Sequence, residues 1–356
     1  MLDAGLSFKD QQKEPDIAKN ITVFSDGTCN ESDKGYPTNV YKLYQAIERR
    51  TDNQVAFYDP GVGTNIYDVT GAAFGTGISK NIRECYEFIV DAYQPGDKIF
   101  LFGFSRGAYT IRSLGGMLSK SGLLKKYYRA MVEKAFDIYK DKDNDDQAEV
   151  FKQKYCWQKT ENKGNTVAVY CIGVWDTVSA LGLPFATAKS LNPFSRRWSG
   201  FHNTTLAPEV RYGFQAISID DNRKIFKPEI WDEASSKEQT IEQVWFPGVH
   251  SNVGGGYRRT ELSDICLEWM IEKAKSIGLL FWPKYTHRVL MRASPHGKIY
   301  DPRSGFGRIY VPTVRVLPKQ ALVHQSAFNR RDRAENRYDA PNIPKTSIPV
   351  NNDGPV

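Results

Sequence analysis

The sequence predicts an α/β fold, with a mostly parallel central sheet, helices on both faces and lid-like insertions. The apolar run 99–102 leads through a glycine-flanked turn into 108–118, where apolar residues recur with helical spacing, which is typical of a buried strand followed by a helix. Two other apolar runs of strand length, 21–24 and 166–175, each end in small polar residues, as buried strands of a parallel sheet do. This alternation of strands and helices predicts one α/β domain.

Composition divides the chain into one domain and two flanking segments. Residues 1–20 are polar and predict a flexible N-terminal lead-in, whereas 330–356, rich in Pro, Asn and Arg, predicts an extended C-terminal tail. Between them, 21–329 is predicted to be a single domain with insertions around 125–160 and 183–211. With 356 residues, 40% of them hydrophobic, the chain is long enough to bury a large core.

Charge and targeting signals restrict the partners and the location. The net charge of +7 comes from Lys and Arg scattered among Asp and Glu, which indicates a solvated surface and no nucleic-acid partner, although attraction to acidic phospholipid stays open. The N-terminus lacks an apolar signal region, and no run approaches the roughly 18 apolar residues of a spanning helix. We therefore expect a cytoplasmic chain as synthesised, which would need a specialised secretion system to act outside the cell.

The elements before residue 95 are ordinary for such a domain. Residues 39–50 have the spacing of an amphipathic helix and 55–58 that of a strand. The glycine-rich tract 71–77 opens a helix over 78–92, but it lacks the Gly-Lys-Ser/Thr ending of a phosphate loop and the G-x-G-x-x-G order of a dinucleotide site. A close-packing turn or a flexible wall is the better interpretation.

The turn at 103–107 has the sequence Gly-Phe-Ser-Arg-Gly between a strand and a helix, which is the context of a nucleophile elbow. In such a turn Ser105 is held in a strained backbone conformation that exposes its hydroxyl, and a Cβ at Gly103 or Gly107 would collide with the neighbouring strand or helix. The backbone N–H of Arg106 would then face a developing oxyanion. The alternative is a glycine-rich loop that only packs tightly.

A second oxyanion donor is expected in the loop that follows the first strand. The backbone N–H groups of Asp26 and Gly27 are the candidates, because an early loop supplies this donor in hydrolases with a nucleophile elbow. The alternatives for Asp26 are metal or phosphate binding, or an Asx-turn.

Two acids compete to orient the base. The strand 166–175 ends at Asp176, and the run 216–219 ends at Asp220. An acid at the end of a parallel strand downstream of the serine fits the order Ser…Asp…His, which favours Asp176, with helix capping as its alternative role. The acidic run 141–146 in the first insertion has Asp where a calcium loop needs Gly, so no calcium site is predicted.

His250 is the predicted general base. It follows a strand and precedes a glycine-rich turn, whereas the other histidines lie in polar stretches, in the second insertion or near the C-terminus. A ring presented on such a loop can reach a serine on another strand. The alternative is a structural histidine. Five widely spaced cysteines without a C-x-x-C pair predict neither a disulfide framework nor a zinc site.

Five ordered motifs together resemble one family. They are Asp26-Gly27-Thr28, 61–64, 103–108, 174–178 and 246–257. From about Ile21 to the Pro-rich segment the chain resembles an α/β-hydrolase family formerly known only as a domain of unknown function, which includes phospholipase (lipase) effectors of type VI secretion systems.

The resemblance implies an α/β-hydrolase fold and a serine lipase or esterase, with Ser105 as nucleophile, Asp176 as acid and His250 as base, and no cofactor or metal. In secreted members it implies attack on acyl esters of glycerophospholipids, as an antibacterial toxin, with contact to a membrane surface. The implied protein partners are a secretion-system component and an immunity protein. The predicted substrate-binding residues are Thr28, Phe104, Thr177 and Phe185.

The substrate leaves two alternatives open. The Pro- and aromatic-rich segment 183–201 suits a cover over a lipid site, but it suits the core of a loop equally well. An esterase or amidase acting on a small soluble substrate would share the triad. A noncatalytic hydrolase-fold binding protein would keep the fold without a reactive Ser105.

Overall fold

One parallel sheet organises the molecule. The computed structural model describes residues 18–27, 35–61, 71–141, 143–158, 169–178, 205–232, 238–290, 292–333, 335 and 337–354. Within them, eight strands pair in parallel in the order β2-β1-β3-β4-β5-β6-β7-β8. The strands are β1 (Asn20–Ser25), β2 (Gln54–Asp59), β3 (Lys98–Phe104), β4 (Val169–Trp175), β5 (Tyr212–Ser218), β6 (Thr240–Phe246), β7 (Leu322–His324) and β8 (Ile348–Val350). The predicted fold class is confirmed.

Helices cover both faces of the sheet. They are α1 (Asn39–Ala46), α2 (Gly71–Ala92), α3 (Arg106–Ser121), α4 (Val132–Lys140), α5 (Asp145–Tyr155), α6 (His250–Gly254), α7 (Glu261–Ser276), α8 (Pro283–Leu290) and α9 (Gln325–Arg331). The predicted insertion at 125–160 contains α4 and α5, which pack against α3. Residues 183–204 of the second predicted insertion lie outside the described residues, as do Thr28 and Phe185.

The two faces of β3 show how the core is divided. Ile99 and Leu101 belong to the cluster formed with α2 and α3, whereas Phe100, Phe102 and Phe104 belong to the cluster formed with α1 and α7. A strand buried on both sides needs apolar residues at successive positions, which explains the unbroken run that the sequence shows. Each such side chain contributes about 1.5–3 kcal/mol by its burial.

The strand order of the sheet reverses at β1. The chain adds β2 on one side of β1 and β3 on the other, so the carboxyl ends of β1 and β3 flank a crevice of the kind where α/β proteins bind ligands. Here α3 approaches β1 closely: a Cβ on Gly107 would lie 2.1 Å from the Ser25 carbonyl oxygen, and one on Gly103 would lie 2.6 Å from the Gly107 carbonyl oxygen. The predicted collisions at both glycines are confirmed.

The C-terminal segment corrects one prediction. The sequence predicts an extended tail over 330–356, but β8 lies within it and extends the sheet beyond β7. Ala340 also joins a third core cluster, with Trp245 of β6 and Val323 of β7. A three-residue strand that contains a proline has too few residues to display a periodic pattern, which is why the sequence did not predict it.

Among the described residues, none of the helices combines the length and the apolar composition of a membrane-spanning segment.

Candidate active site

Ser105 occupies the sharp turn between β3 and α3. Its backbone angles are φ 57° and ψ −121°, a conformation that L-residues rarely adopt and that the elbow motif predicts. The turn is held because the Ser105 N–H donates to the Trp175 carbonyl at 3.1 Å, and the Tyr109 N–H donates back to the Ser105 carbonyl at 3.2 Å. The serine side chain is thereby presented at the carboxyl edge of the sheet.

Three predicted residues meet at this edge in one hydrogen-bonded chain. His250 Nε2 lies 2.8 Å from Ser105 Oγ, and His250 Nδ1 lies 2.6 Å from Asp176 Oδ2. Ser105 follows β3, Asp176 follows β4 and His250 begins α6 after β6, so parallel strands bring together residues that are far apart in sequence. All three side chains are buried.

The electrostatics favour an ionised acid and a neutral base. Burial alone would raise the pKa of Asp176, but the Arg315 guanidinium and His250 hold that pKa well below its usual range. Burial lowers the pKa of His250 below its ordinary value of 6.5, although Asp176 opposes this effect. At neutral pH the imidazole therefore keeps one proton, which Nδ1 donates to Asp176, while Nε2 is left to accept the Ser105 proton.

Arg315 is a site residue that the sequence prediction missed. Its Nη1 donates to Asp176 Oδ1 at 2.6 Å, and its Nη2 donates to Asp176 Oδ2 at 3.0 Å. The arginine is only 5% exposed, although its neighbours Val314 and Val316 are 70% and 86% exposed. The single signal in the sequence is a lone cation in the apolar run 314–317, which does not reveal its partner.

Asp220, the alternative acid, lies in a different network. It accepts hydrogen bonds from the Gly248 N–H at 2.6 Å and from the Tyr338 hydroxyl, and none of its hydrogen bonds is to the His250 ring. The neighbouring Asp221 accepts from the His250 backbone N–H at 3.1 Å and pairs with Arg223. These two acids thus support the loop that carries the histidine.

The predicted oxyanion donors need a correction. The Asp26 N–H donates to the Asp59 carbonyl at 2.9 Å, because the β1–β2 ladder continues one residue past the strands, so Asp26 is not a free amide donor. The Gly27 N–H donates to Asp26 Oδ1 at 2.7 Å. Arg106 is the first residue of α3, where a helix directs its N–H groups towards an anion.

The Asp26 carboxyl group is anchored on several sides. Besides the Gly27 N–H, it accepts from the Thr38 hydroxyl at 2.6 Å and from the Tyr58 hydroxyl at 2.8 Å. Burial raises its pKa to about 6, although these hydrogen bonds oppose the rise. A carboxyl group with its oxygens so occupied shapes the loop, in line with the Asx-turn alternative and unlike a metal or phosphate ligand.

Two predicted substrate contacts are buried within the fold. Phe104 is 1% exposed and its ring centroid lies 4.6 Å from that of His250, so its ring packs against the base. A Cβ on Gly254 would lie 2.0 Å from this ring, which explains the glycine at the end of α6. Thr177 is 1% exposed, and its hydroxyl has no hydrogen-bond partner among the residues that the structure describes. The assignment of both side chains to substrate binding stays a prediction.

Known proteins resemble this chain in sequence and in fold. The model of the catalytic domain of Tle1-like type VI secretion phospholipase effectors matches residues 19–273. The Saccharomyces cerevisiae protein YEL023C is 29% identical in an alignment of 236 residues that covers 59% of this chain and 32% of the yeast protein. A structure of the Tle1 effector bound to the VgrG spike has a TM-score of 0.50 at 14% identity, covers 82% of this chain and 78% of that one, and shows the same fold.

A protein of Pseudomonas aeruginosa is also similar in structure. Its TM-score is 0.47 at 17% identity, with 78% of this chain and 49% of that chain covered. This chain therefore spans about a third of the yeast protein and about half of the Pseudomonas protein.

Proposed function

Because the chain belongs to the family of Tle1-like phospholipase effector catalytic domains, a family of serine ester hydrolases, we propose that it cleaves carboxylic esters with Ser105, His250 and Asp176 as a triad. The observation that carries the proposal is the hydrogen-bonded chain from Ser105 Oγ through both ring nitrogens of His250 to Asp176. Ser105 lies in a strained elbow, where its positive φ costs stability, as in the nucleophile turns of hydrolases.

Acylation begins at the neutral imidazole. His250 Nε2 takes the proton of Ser105 Oγ as that oxygen attacks the ester carbonyl, and the Asp176 carboxylate stabilises the imidazolium that forms. The Arg106 N–H donates to the oxyanion of the tetrahedral intermediate, a contribution of about 3 kcal/mol to lowering the barrier. We assign the second donor to Gly27, whose N–H would be shared between the Asp26 carboxyl group and the oxyanion.

Acylation ends and deacylation follows with the same groups. To complete acylation, His250 gives its proton to the oxygen of the leaving alcohol, which departs and leaves an acyl ester on Ser105. A water molecule then attacks this ester while His250 accepts one of its protons. Collapse of the second tetrahedral intermediate returns the proton to Ser105 and releases a carboxylic acid.

We propose glycerophospholipids as the substrate class. Besides the family, an exposed aliphatic surface near the triad supports this choice. Ile309, Val311, Val314 and Val316, here called the aliphatic rim, are 55–86% exposed. Aliphatic side chains that remain in water beside a catalytic site are typical of a surface that meets another apolar phase.

The rim is connected to the triad at both ends. Tyr310 contacts the Phe226 ring, which in turn contacts the His250 ring at 5.0 Å, and Arg315 binds Asp176. Exposed cations lie on the same segments, namely Lys224, Lys227 and Arg308. Aliphatic and cationic side chains together match an anionic phospholipid bilayer, which we propose as the surface that the rim contacts.

The effector role is a separate proposal. A secretion-system component and an immunity protein are the partners we propose, on the strength of the family and of a solved Tle1 effector bound to a VgrG spike. Directing the chain to a bacterial periplasm tests the role. Growth arrest by the wild type, but not by Ser105→Ala, would support a toxin, and growth unaffected by the wild type would contradict it.

Acyl release separates the candidate functions. We expect wild-type protein to release fatty acid from phospholipid vesicles and to hydrolyse a short p-nitrophenyl ester, and Ser105→Ala to do neither. Turnover of the short ester alone would favour the alternative of a soluble esterase or amidase. No turnover and no labelling by a fluorophosphonate probe would favour a noncatalytic binding protein.

A further inference from the structure

We propose that Arg315 is a positioning residue of the triad. Its guanidinium orients the Asp176 carboxylate and keeps the His250 imidazole neutral, and so able to act as a base, at neutral and mildly acidic pH. The inference rests on the proposed hydrolase function, since it assigns a role in that reaction to a residue outside the triad.

The geometry leaves the arginine little freedom. The two terminal nitrogens of the guanidinium each bind one oxygen of Asp176, at 2.6 and 3.0 Å. The same nitrogens donate to the Ser218 carbonyl at 2.8 Å and to the Phe226 carbonyl at 2.6 Å. A planar fork held by two carbonyl groups fixes the plane of the carboxylate, which a single point charge would not do.

The fixed carboxylate in turn fixes the base. Asp176 Oδ2 receives both the Arg315 bond and the 2.6 Å bond from His250 Nδ1, so a rotation of the carboxylate would move the imidazole away from Ser105. The side chains of Arg315 and Asp176 are 2% and 0% exposed, and an unpaired carboxylate in such a place would be strongly unfavourable.

Charge counting gives the sign of the pH effect. When Arg315 is present, Arg315, Asp176 and neutral His250 have a total charge of zero, and protonation of His250 raises it to +1. When the arginine is absent, the total charge is −1, and the same proton brings it to zero. Protonation is therefore harder when the arginine is present. Among the described residues, the other charged groups that face His250 are Asp221 and Arg223, which pair with each other and offset one another.

The position of Arg315 makes the inference specific to the structure. The matched family segment ends at residue 273, so the residue lies beyond it, between the 3-10 turn at 305–309 and β7. Among the described residues of the matched segment, no lysine or arginine binds the Asp176 carboxylate.

The test compares Arg315→Gln with Arg315→Lys. Both lose the fork, but only the first loses the charge. For short-ester hydrolysis we expect the acidic limb of the pH profile of kcat/KM to lie below pH 6.5 in the wild type and to rise by about one pH unit or more in Arg315→Gln. We expect Arg315→Lys to keep the wild-type limb but to have a lower kcat.

A buried arginine elsewhere provides the matched control. Arg330 donates to the Pro295 and Gly297 carbonyls and does not contact the triad. We expect Arg330→Gln to lower stability without moving the limb. An equal loss of activity at every pH in Arg315→Gln, or an unchanged limb, would show that the residue only stabilises the fold. If only Arg315→Lys folds, a limb displaced from that of the wild type would overturn the proposal.

A second readout does not depend on turnover. Titration of the His250 ring by NMR with 15N-labelled histidine should show that the neutral ring becomes an imidazolium at a higher pH in Arg315→Gln than in the wild type. If no variant, including the wild type, hydrolyses an ester, the proposed function fails, while this titration still decides the role of Arg315. Coincident titrations would contradict that role.

Discussion

Backbone strain is concentrated in the residues of the triad. Among the described residues, Ser105, Asp176 and Arg337 are the non-glycine residues with positive φ, and the first two face each other across His250. Such conformations cost on the order of 1–3 kcal/mol each, so the surrounding structure must enforce them. At Asp176 the enforcement is visible, since its N–H donates to the Ala216 carbonyl at 2.7 Å and its carboxylate accepts from the Ser218 N–H at 2.9 Å.

Replacing each acid with its amide tests the choice between Asp176 and Asp220. We expect Asp176→Asn to lower kcat by about 10⁴-fold, because the amide would favour the wrong tautomer of His250. Asp220→Asn should lower kcat by less than about tenfold, because its partners are Gly248 and Tyr338. Steady-state kinetics on a short ester measures both. A larger loss in Asp220→Asn than in Asp176→Asn would reverse the assignment.

The long elements could be predicted from the sequence, and the short ones could not. β3 and β4 are apolar over most of their length because both faces are buried, and the elbow has a fixed motif. β7 and β8 have three residues each, too few to establish an alternating pattern in the sequence. The partner of the Asp26 N–H depends on how far the β1–β2 pairing extends, and the partner of Arg315 depends on where a distant loop returns. Neither is encoded in local spacing.

The close approach of α3 to β1 gives a prediction for the elbow. We expect Gly107→Ala to lower the free energy of unfolding by about 3 kcal/mol, because the new Cβ would meet the backbone of Ser25 and Asp26, which cannot move without breaking the sheet. In the same helix, a Cβ on Gly116 meets only the Tyr139 ring, at 3.2 Å. Gly116→Ala is therefore the matched control, expected to be nearly neutral in urea denaturation. Equal effects of the two substitutions would contradict the packing argument.

On the scale of the whole molecule, the catalytic edge and the aliphatic rim lie together at the carboxyl ends of the strands. The rim belongs to the segment between α8 and β7, which also supplies Arg315. Val314 and Val316 are exposed and Arg315 between them is buried, so the side chains of this short extended stretch point alternately to the solvent and to the interior.

Vesicle turnover tests the rim. We expect the double substitution Val314→Ser and Val316→Ser to lower the ratio of vesicle turnover to short-ester turnover by about tenfold or more. The reason is that burying the two valines in the bilayer would contribute about 3 kcal/mol to membrane binding. Val150, 64% exposed on α5, provides the control, and Val150→Ser should leave the ratio unchanged. A ratio that is unchanged in the double variant would exclude the rim as the membrane-contacting surface.

The order of the chain has a consequence for its synthesis. A ribosome adds Ser105, Asp176 and His250 well before Arg315, and β7 and β8 come later still. Domains begin to fold while they are being translated, so the elbow can form while the buried carboxylate still lacks its cation. We therefore expect the Asp176 carboxylate of a nascent chain to gain its buried counter-ion only after residue 315 has left the exit tunnel, later than the elbow itself can form.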